Sequence, residues 1–151
     1  MKAILTALLL TLTSVVHSAE ILLPDNYAER VVVMTILGEA RGEGEAGMYA
    51  VACVIRKRMI ERKMDAVDVC VQNRQFSCWN GNGQDKLFKL LNGSKQHLYA
   101  MNLAPHVIQG GLDLNYVKHA NHYCTLKTHN AWTKGKKPVK IIGNHKFFKL
   151  D

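Results

Sequence analysis

The clearest pattern of apolar and polar positions predicts an amphipathic helix over residues 45–63. Its apolar side chains recur at intervals of three and four residues and share one face, namely Met48, Val51, Ala52, Ile55 and Met59. Charged residues, among them Arg56 and Arg62, occupy the opposite face, which we expect to meet solvent. Glu45 complements the positive start of a helix, and we interpret it as a structural residue.

A second helix is predicted over residues 28–37. Asn26 is placed to cap it, and Glu29 follows three residues later at the spacing of a capping box. By periodicity alone, the valine run 31–33 would suit a strand equally well. The cap signal and the length of the apolar segment favour a buried helix that ends at one of the two glycines in segment 38–42.

The rest of the chain predicts shorter elements. These are a helical turn at 65–70, a polar loop at 73–84, and helices at 85–91 and 94–109. Pro105 is expected to bend or divide the last of these helices. Gly143 and Asn144 separate two short apolar runs, 138–142 and 145–150, which predicts a β-hairpin. We therefore expect an α+β fold, predominantly helical, with a small C-terminal β-hairpin.

The amino-terminal residues have the pattern of a secretory signal peptide. Lys2 supplies the positive charge, residues 3–16 are mostly apolar, and small residues follow up to Ala19. The apolar run is shorter than the ~20 residues of a membrane-spanning helix, so we expect no stable membrane anchor. The prediction is a signal peptide at 1–19 and a single domain at 20–151, secreted or periplasmic.

The chain is basic, with 20 Lys and Arg residues against 12 Asp and Glu and a formal net charge of +8. A basic exported protein can meet nucleic acid, anionic lipid or an anionic wall polymer. Export favours the wall and argues against nucleic acid as a partner. The alternative is that the charge serves solubility alone.

Four cysteines follow the signal peptide, and an oxidising compartment permits disulfides. They are Cys53, Cys70, Cys78 and Cys124, which allow three connectivities. Cys70 and Cys78 are close enough in sequence to form a disulfide within one loop, whereas Cys53 falls within a predicted helix and suits a free buried thiol. No C-x-x-C or H-x-x-x-H spacing occurs, so we expect no zinc site, no other metal and no cofactor.

An acidic residue at the end of an apolar run offers the clearest candidate chemistry. Glu39 directly follows the first predicted helix and lies in the segment Leu37–Glu43, which contains two glycines. A carboxyl group at the edge of a core is partly desolvated, and desolvation favours its protonated form. We interpret Glu39 as a proton donor. The alternative is an ordinary surface acid after a helix.

Several motifs occur in order along the chain and together resemble the SleB/CwlJ family of cell-wall hydrolases, named for spore cortex-lytic enzymes. They are Leu37–Glu43, Ala50–Met59, Gln75–Trp79, Ala120–Tyr123, Trp132 and Ile142–Phe148. The resemblance covers about residues 28–149. The chain departs from the commoner family pattern at 56–58, Arg-Lys-Arg, where an Asn-Arg pair often ends the second helix, and at Cys124.

The resemblance implies a lysozyme-like catalytic domain that acts on peptidoglycan, with Glu39 as the catalytic residue. It implies substrate-binding roles for Phe76, Ser77, His122, Tyr123, Trp132 and His145. From their chemistry, Trp79 and Trp132 suit stacking on sugar rings, and Gln75 and Asn144 suit hydrogen bonds to hydroxyl or acetamido groups. Glu43, the nearest second acid, is included among the substrate-binding residues. For each of these residues the alternative is a purely structural role.

The acids of the chain bear on the mechanism. Most glycosidases pair the proton donor with a second carboxylate, but the other candidates, Asp65, Asp68, Asp85 and Asp113, lie in segments that predict caps and loops. A lytic transglycosylase needs one acid, because the N-acetyl group of the substrate stabilises the cationic centre and the 6-hydroxyl of muramic acid replaces water. The sequence and the resemblance therefore favour a monomeric lytic transglycosylase that cleaves the β-1,4 bond between N-acetylmuramic acid and N-acetylglucosamine.

Three other functions are compatible with the sequence. A metal-dependent amidase would use the histidines of the domain, which are His97, His106, His119, His122, His129 and His145. A non-catalytic wall-binding module would use the basic surface, and a secreted nuclease would need a metal cluster that no spacing predicts. The expected biological role is wall lysis, as in a phage lysis enzyme, or remodelling of a bacterial wall.

Overall fold

The computed structural model describes residues 23–81 and 83–151. The predicted signal peptide, residues 1–19, lies outside the described residues. Among the helices of these two ranges, none combines the length and the apolar character that crossing a membrane requires. The boundary of the mature domain at residue 20 stays a prediction.

The described residues form a helical body and a small antiparallel sheet. The elements are α1 (Tyr27–Ala40), α2 (Gly44–Arg62), α3 (Ala66–Val71), α4 (Gly83–Phe88), α5 (Lys95–Gln109), β1 (His122–Thr125), β2 (Lys140–Ile142) and β3 (His145–Phe148). Connecting 3₁₀ turns lie at Arg41–Glu43, Ser77–Trp79, Leu114–Val117 and Ala131–Thr133. The predicted α+β class, predominantly helical, is confirmed.

Helix α1 begins where the sequence predicts it. The Asn26 side chain accepts a hydrogen bond from the backbone N–H of Ala28 at 2.8 Å, which caps the first turn. The valine run 31–33 is helical and fully buried, because α1 packs against α2, α3 and α5. The helix continues through Gly38 and ends at Ala40, between the two predicted ends.

Helix α2 is buried on two sides, whereas its sequence predicts one apolar face. Val51 and Ile55 belong to the core that α2 forms with α1, α3 and α5. Ala50 and Val54 face the opposite way and pack in a second cluster with Phe147 of β3. Each fully buried valine or isoleucine side chain contributes about 1.5–3 kcal/mol. Helix α2 therefore joins the helical body to the sheet.

Helix α5 runs without interruption through Pro105, so the prediction that the proline divides it is wrong. Ser94 caps its start, and its apolar face packs on α1 and α2. At its end, Nη1 of Arg56 donates to the carbonyl oxygens of Val107 and Ile108 at 3.4 and 3.0 Å. Arg56 therefore ties α2 to α5 and does not belong to a solvent-facing surface, because the last carbonyls of a helix need donors.

The sheet has the strand order β1-β3-β2 with antiparallel pairing. Strands β2 and β3 form the hairpin predicted around Gly143 and Asn144, with Ile142 opposite His145. Strand β1 adds a third strand on the other side of β3 and places Tyr123 opposite Phe147. This pairing carries the late sequence motifs to one edge of the helical body.

The hairpin turn is anchored to the connection between α1 and α2. The backbone N–H of Asn144 donates to Oε2 of Glu43 at 2.6 Å, and Nδ2 of Asn144 donates to Oε1 at 3.3 Å. These hydrogen bonds, the backbone one foremost, hold the pKa of Glu43 below its usual value. Glu43 thus joins the sheet to the helices.

We expect Gly143→Ala to lower the free energy of unfolding. Gly143 has φ +53°, and a Cβ there would lie 2.2 Å from Oε2 of Glu43. The left-handed backbone alone costs a non-glycine residue about 1–2 kcal/mol, and the contact with Glu43 adds to this. Urea unfolding measures the loss. Gly93→Ala is the control, because Gly93 has φ +70° and open space around it; equal losses in both variants would contradict the contact.

The four cysteines are free, so the structure does not form the predicted disulfide between Cys70 and Cys78. Cys70 is enclosed in the helical core, and Cys78 packs against Gly38. Burial raises the pKa of Cys53 and of Cys70 to about 12, which keeps both as thiols. The prediction that Cys53 is a buried free thiol agrees with the structure.

Candidate active site

Glu39 lies in the last turn of α1, at the edge of the helical core. Its neighbours Leu37 and Ala40 are 1% exposed, whereas Glu39 itself is half-buried. The backbone is therefore held by packing while the carboxylate oxygens reach the surface. This is the placement that the end of the apolar run predicts.

Three groups from two distant segments donate hydrogen bonds to the Glu39 carboxylate. In the 3₁₀ turn after α3, the Ser77 hydroxyl and the Cys78 backbone N–H donate to Oε1 at 3.1 and 2.9 Å. From β1, the Tyr123 hydroxyl donates to Oε2 at 2.8 Å. Helix, loop and sheet therefore converge on one carboxylate and fix its orientation.

Tyr123 is held as a neutral donor. Burial, and after it the adjacent Glu39 carboxylate, raise the pKa of Tyr123 well above its usual value, so the phenol keeps its proton. Its ring packs against His145 and Phe147, with centroid distances of 5.1 and 5.7 Å. These aromatic contacts on β3 set the direction in which the hydroxyl points.

Gly38 permits the close approach of the loop that carries Ser77 and Cys78. A Cβ on Gly38 would lie 2.5 Å from Cβ of Cys78 and 2.6 Å from Cδ2 of Leu87. Contacts under 3.0 Å require one of the groups to move. The close packing at this position therefore requires a glycine beside Glu39, because only a residue without a Cβ lets the Cys78 N–H reach the carboxylate.

We expect Gly38→Ala to lower both stability and activity. Overpacking of this kind costs about 1–3 kcal/mol, and the displaced loop would lengthen the hydrogen bond from Cys78 to Glu39. Thermal unfolding and a wall-lysis assay measure the two effects. Gly42→Ala is the control in the same segment, because a Cβ on Gly42 meets nothing within 4 Å. Equal behaviour of the two variants would contradict the packing role.

Two adjoining grooves meet at the Glu39–Tyr123 pair. The Glu39 groove has a volume of about 270 Å³, and its walls include Glu39, Ser77, Asn80, Thr125, Thr128 and His145. The Arg58 groove has a volume of about 340 Å³, and its walls include Arg58, His122 and Trp132. Arg74, Gln75, Tyr123 and Asn130 line both grooves, so the two grooves adjoin, and together they are called the trough below.

Arg58 is a site residue that sequence reasoning missed. Its side chain is 3% exposed, its Nε donates to the carbonyl oxygen of Asn121 at 2.7 Å, and its guanidinium lies 4.9 Å from the ring centroid of Phe76. Burial lowers the pKa of Arg58 to about 10, which leaves it charged at neutral pH. The available signal was its spacing, because Arg58 follows Val51 and Ile55 on the apolar face of α2.

The ring of His122 has a defined tautomer. Nδ1 lies 2.9 Å from Oδ1 of Asn121, and the backbone N–H of Leu150 also donates to that oxygen. Nδ2 of Asn121 donates to Glu61 and to the Leu150 carbonyl, so the amide orientation is fixed. Nδ1 of His122 must therefore carry the hydrogen, and Nε2 is left as an acceptor. His122 lines the Arg58 groove.

We expect stability to fall as the pH decreases from about 6.5 to 4.5. Burial, and after it the charge of Arg58, lower the pKa of His122 from 6.5 to about 4, and burial also lowers the pKa of His97. In this window the unfolded chain binds protons that the folded chain does not, so acid favours unfolding. Urea unfolding at pH 7 and pH 5 measures the effect. His122→Gln should reduce the dependence, and an unchanged pH dependence would contradict the assignment.

Two aromatic residues that the sequence assigns to substrate binding are absent from the described lining of the trough. Phe76 is 1% exposed and lies beneath Arg58 and Tyr123, so it supports the groove without reaching its surface. Trp79 packs against the helical core, and its Nε1 donates to Oγ1 of Thr35 at 2.9 Å. The prediction of direct substrate contact is therefore corrected for Phe76, whose ring belongs to the core. Trp79 is half-buried, and its stacking role stays a prediction.

Glu43 and Asn144, also predicted to bind substrate, have a structural role at the hairpin turn. They bond to each other at the hairpin turn, and neither is among the residues that line the trough in the described part of the chain. The remaining predicted residues do come together. Gln75, Ser77, His122, Tyr123, Trp132 and His145 all line one groove or the other.

Two other carboxylates of the described residues have capping roles. Asp65 caps α3, and Asp113 caps a 3₁₀ turn, as the sequence predicts. Among the described residues that line the trough, Glu39 is the single carboxylate. Within residues 23–81 and 83–151, no group of three or more His, Cys, Asp or Glu side chains is placed to hold a metal ion. The trough therefore presents one acid, two arginines and several uncharged polar groups.

Two solved structures are similar to this chain. The catalytic domain of the germination-specific lytic transglycosylase SleB from Bacillus anthracis is 23% identical, with a TM-score of 0.61, and the match covers 84% of this chain and 100% of that one. The catalytic domain of the Bacillus cereus SleB protein is 24% identical, with a TM-score of 0.62 and coverages of 84% and 95%. These likenesses confirm the predicted lysozyme-like fold. No curated protein matches the chain. The family model described as Cell Wall Hydrolase matches residues 42–148, and the chain belongs to that family, as its ordered motifs predicted.

Proposed function

We propose that this protein is a lytic transglycosylase that cleaves the β-1,4 bond between N-acetylmuramic acid and N-acetylglucosamine in peptidoglycan. The observation that carries the proposal is a lone carboxylate, Glu39, held by three donors in a trough that presents no second acid among its described walls. A glycosidase with two carboxylates needs them about 5–9.5 Å apart. The similar SleB domain of Bacillus anthracis is described as a lytic transglycosylase.

Glu39 carries both proton transfers in this reaction. As the bond between C1 of the muramoyl residue and the bridging O4 breaks, protonated Glu39 gives its proton to O4. The N-acetyl carbonyl of the same sugar stabilises the cationic C1. The ionised Glu39 then accepts the proton of the muramoyl 6-hydroxyl while that oxygen bonds to C1. The products are a free 4-hydroxyl end and a 1,6-anhydro end, and Glu39 is protonated again.

The remaining groups of the trough bind the sugar and orient its glycosidic bond toward Glu39. Trp132 is half-buried against His122 and Phe148 and offers the remaining ring surface to the Arg58 groove. Gln75 and Asn130 line both grooves and suit hydroxyl and acetamido groups. Because acid–base help contributes about 10²–10⁴-fold, such positioning must supply much of the remaining rate.

Mass spectrometry of fragments from digested peptidoglycan tests the proposal. We expect fragments that end in 1,6-anhydromuramic acid. Reducing muramic acid ends would replace the transglycosylase by a hydrolytic muramidase, and free stem peptides would indicate an amidase. Undigested wall that nevertheless retains the protein would indicate a non-catalytic binding module.

Export remains part of the proposal. Residues 1–19 have the signal-peptide pattern, and the substrate lies outside the cytoplasm. Amino-terminal sequencing of the protein recovered from the periplasm or the medium tests this, with Glu20 as the expected first residue.

A further inference from the structure

The Arg58 groove carries positive charge that the cleavage mechanism does not use. Arg58 and Arg74 both line it, and none of the described residues that line it is acidic. Trp132 and His122 form an aromatic wall on another side. Such a recess suits a ligand with an apolar face and an anionic or carbonyl oxygen.

Arg58 is incompletely paired within the protein. It is 3% exposed, its Nε has one partner in the Asn121 carbonyl, and its buried Nη1 has none in the described residues. No described carboxylate forms an ion pair with it. A buried guanidinium without a carboxylate partner is costly. Arg58 lines the groove, so an anionic ligand oxygen placed there offsets part of this cost through its charge.

Arg74 is the second, more accessible cation of this groove. It is exposed and lines both grooves, and its backbone has φ +60°, a left-handed conformation that is unusual for a residue with a side chain. Among the described residues, Arg74 takes part in no ion pair. Its guanidinium is therefore free to contact a ligand that spans the two grooves.

We propose that Arg58 and Arg74 bind the oxygen atoms of the lactyl arm on muramic acid and so place a muramoyl residue beside Glu39. This inference rests on the proposed function and deepens it. The lactyl ether is the group that distinguishes muramic acid from glucosamine. It ends in a carboxylate in stem-free glycan and in an amide carbonyl where a peptide is attached, and both accept hydrogen bonds from guanidinium.

The test compares two ligands that differ in this arm. The Glu39→Gln protein is titrated calorimetrically with chitotetraose and with a stem-free tetrasaccharide of alternating N-acetylglucosamine and N-acetylmuramic acid. We expect at least tenfold tighter binding of the muramic acid ligand, and a preference that weakens as salt increases. Equal affinity for the two ligands would overturn the inference.

Variants at Arg74 separate binding from folding. Arg74→Asn removes the charge and tolerates the left-handed backbone, so we expect it to abolish most of the preference while leaving chitotetraose affinity unchanged. Lys118→Asn is the matched control, because Lys118 is exposed, has φ +53° and lies outside both grooves. Arg58→Lys keeps a charge but loses the planar fork, and should also weaken the preference.

The outcomes distinguish this inference from the proposed function. If the wild-type protein releases anhydro fragments but Arg74→Asn keeps the full preference, the lactyl assignment is wrong and the transglycosylase stands. If the wild-type protein releases no glycan fragments, the proposed function is wrong, and the inference that rests on it is overturned with it. Loss of affinity for both ligands in Arg74→Asn would show a general contact with the glycan and would overturn recognition of the lactyl arm.

Discussion

Glu39→Gln is expected to reduce lytic activity at least about 100-fold, because general acid–base catalysis contributes about 10²–10⁴-fold. The fold should stay intact. The amide cannot give a proton to the bridging oxygen or take one from the 6-hydroxyl. Its own oxygen can still accept from Ser77 and from the Cys78 N–H, and its nitrogen can donate to the Tyr123 oxygen. The local hydrogen bonds therefore survive the change.

Turbidity clearing of purified peptidoglycan measures the loss, and thermal unfolding checks the fold. Glu45→Gln is the matched control, since Glu45 is exposed at the start of α2 and pairs with Lys95. It removes the same charge outside the trough and should retain activity. A Glu39→Gln protein that clears wall at the wild-type rate would exclude Glu39 as the proton donor.

Local patterns predicted much of the fold because they reflect short-range physics. The Asn26 cap, the apolar spacing of α2 and the Gly143 turn each act within a few residues, and each element forms where its pattern predicts. The edge position of Glu39 follows from the same logic, since the apolar run ends there. Pro105 shows the limit of local reasoning, because packing on α1 and α2 holds the helix together through it.

The sequence patterns could not predict the contacts between distant segments. Glu43 and Asn144 are 101 positions apart, and no pattern in either segment predicts that the two residues form a hydrogen bond. The Cys78 backbone N–H has no side-chain signature at all, yet it donates to Glu39. Arg58 was passed over because a charged residue on an apolar face is ordinarily expected to reach solvent.

Tyr123→Phe is expected to lower kcat by about 10–100-fold with little change in KM, since a hydrogen bond to a charged group is worth roughly 1.5–3 kcal/mol. The variant removes the donor that lies 2.8 Å from Oε2 of Glu39 and keeps the ring. Packing against His145 and Phe147 is preserved, so the fold should be stable. Without this donor only Oε1 of Glu39 is held, by Ser77 and the Cys78 N–H. Oε2 is then less well oriented toward the substrate, which slows proton transfer more than binding.

Steady-state kinetics on soluble glycan fragments separates the two parameters. Tyr116→Phe is the control, because Tyr116 packs edge-on against Tyr49 and lies outside both grooves, so its loss of a hydroxyl should leave kcat unchanged. If Tyr123→Phe instead raised KM and left kcat intact, the hydroxyl would act on the sugar, as the sequence motif alone implied, and not on Glu39. The geometry favours the first result, because the shortest hydrogen bond to the carboxylate comes from this phenol.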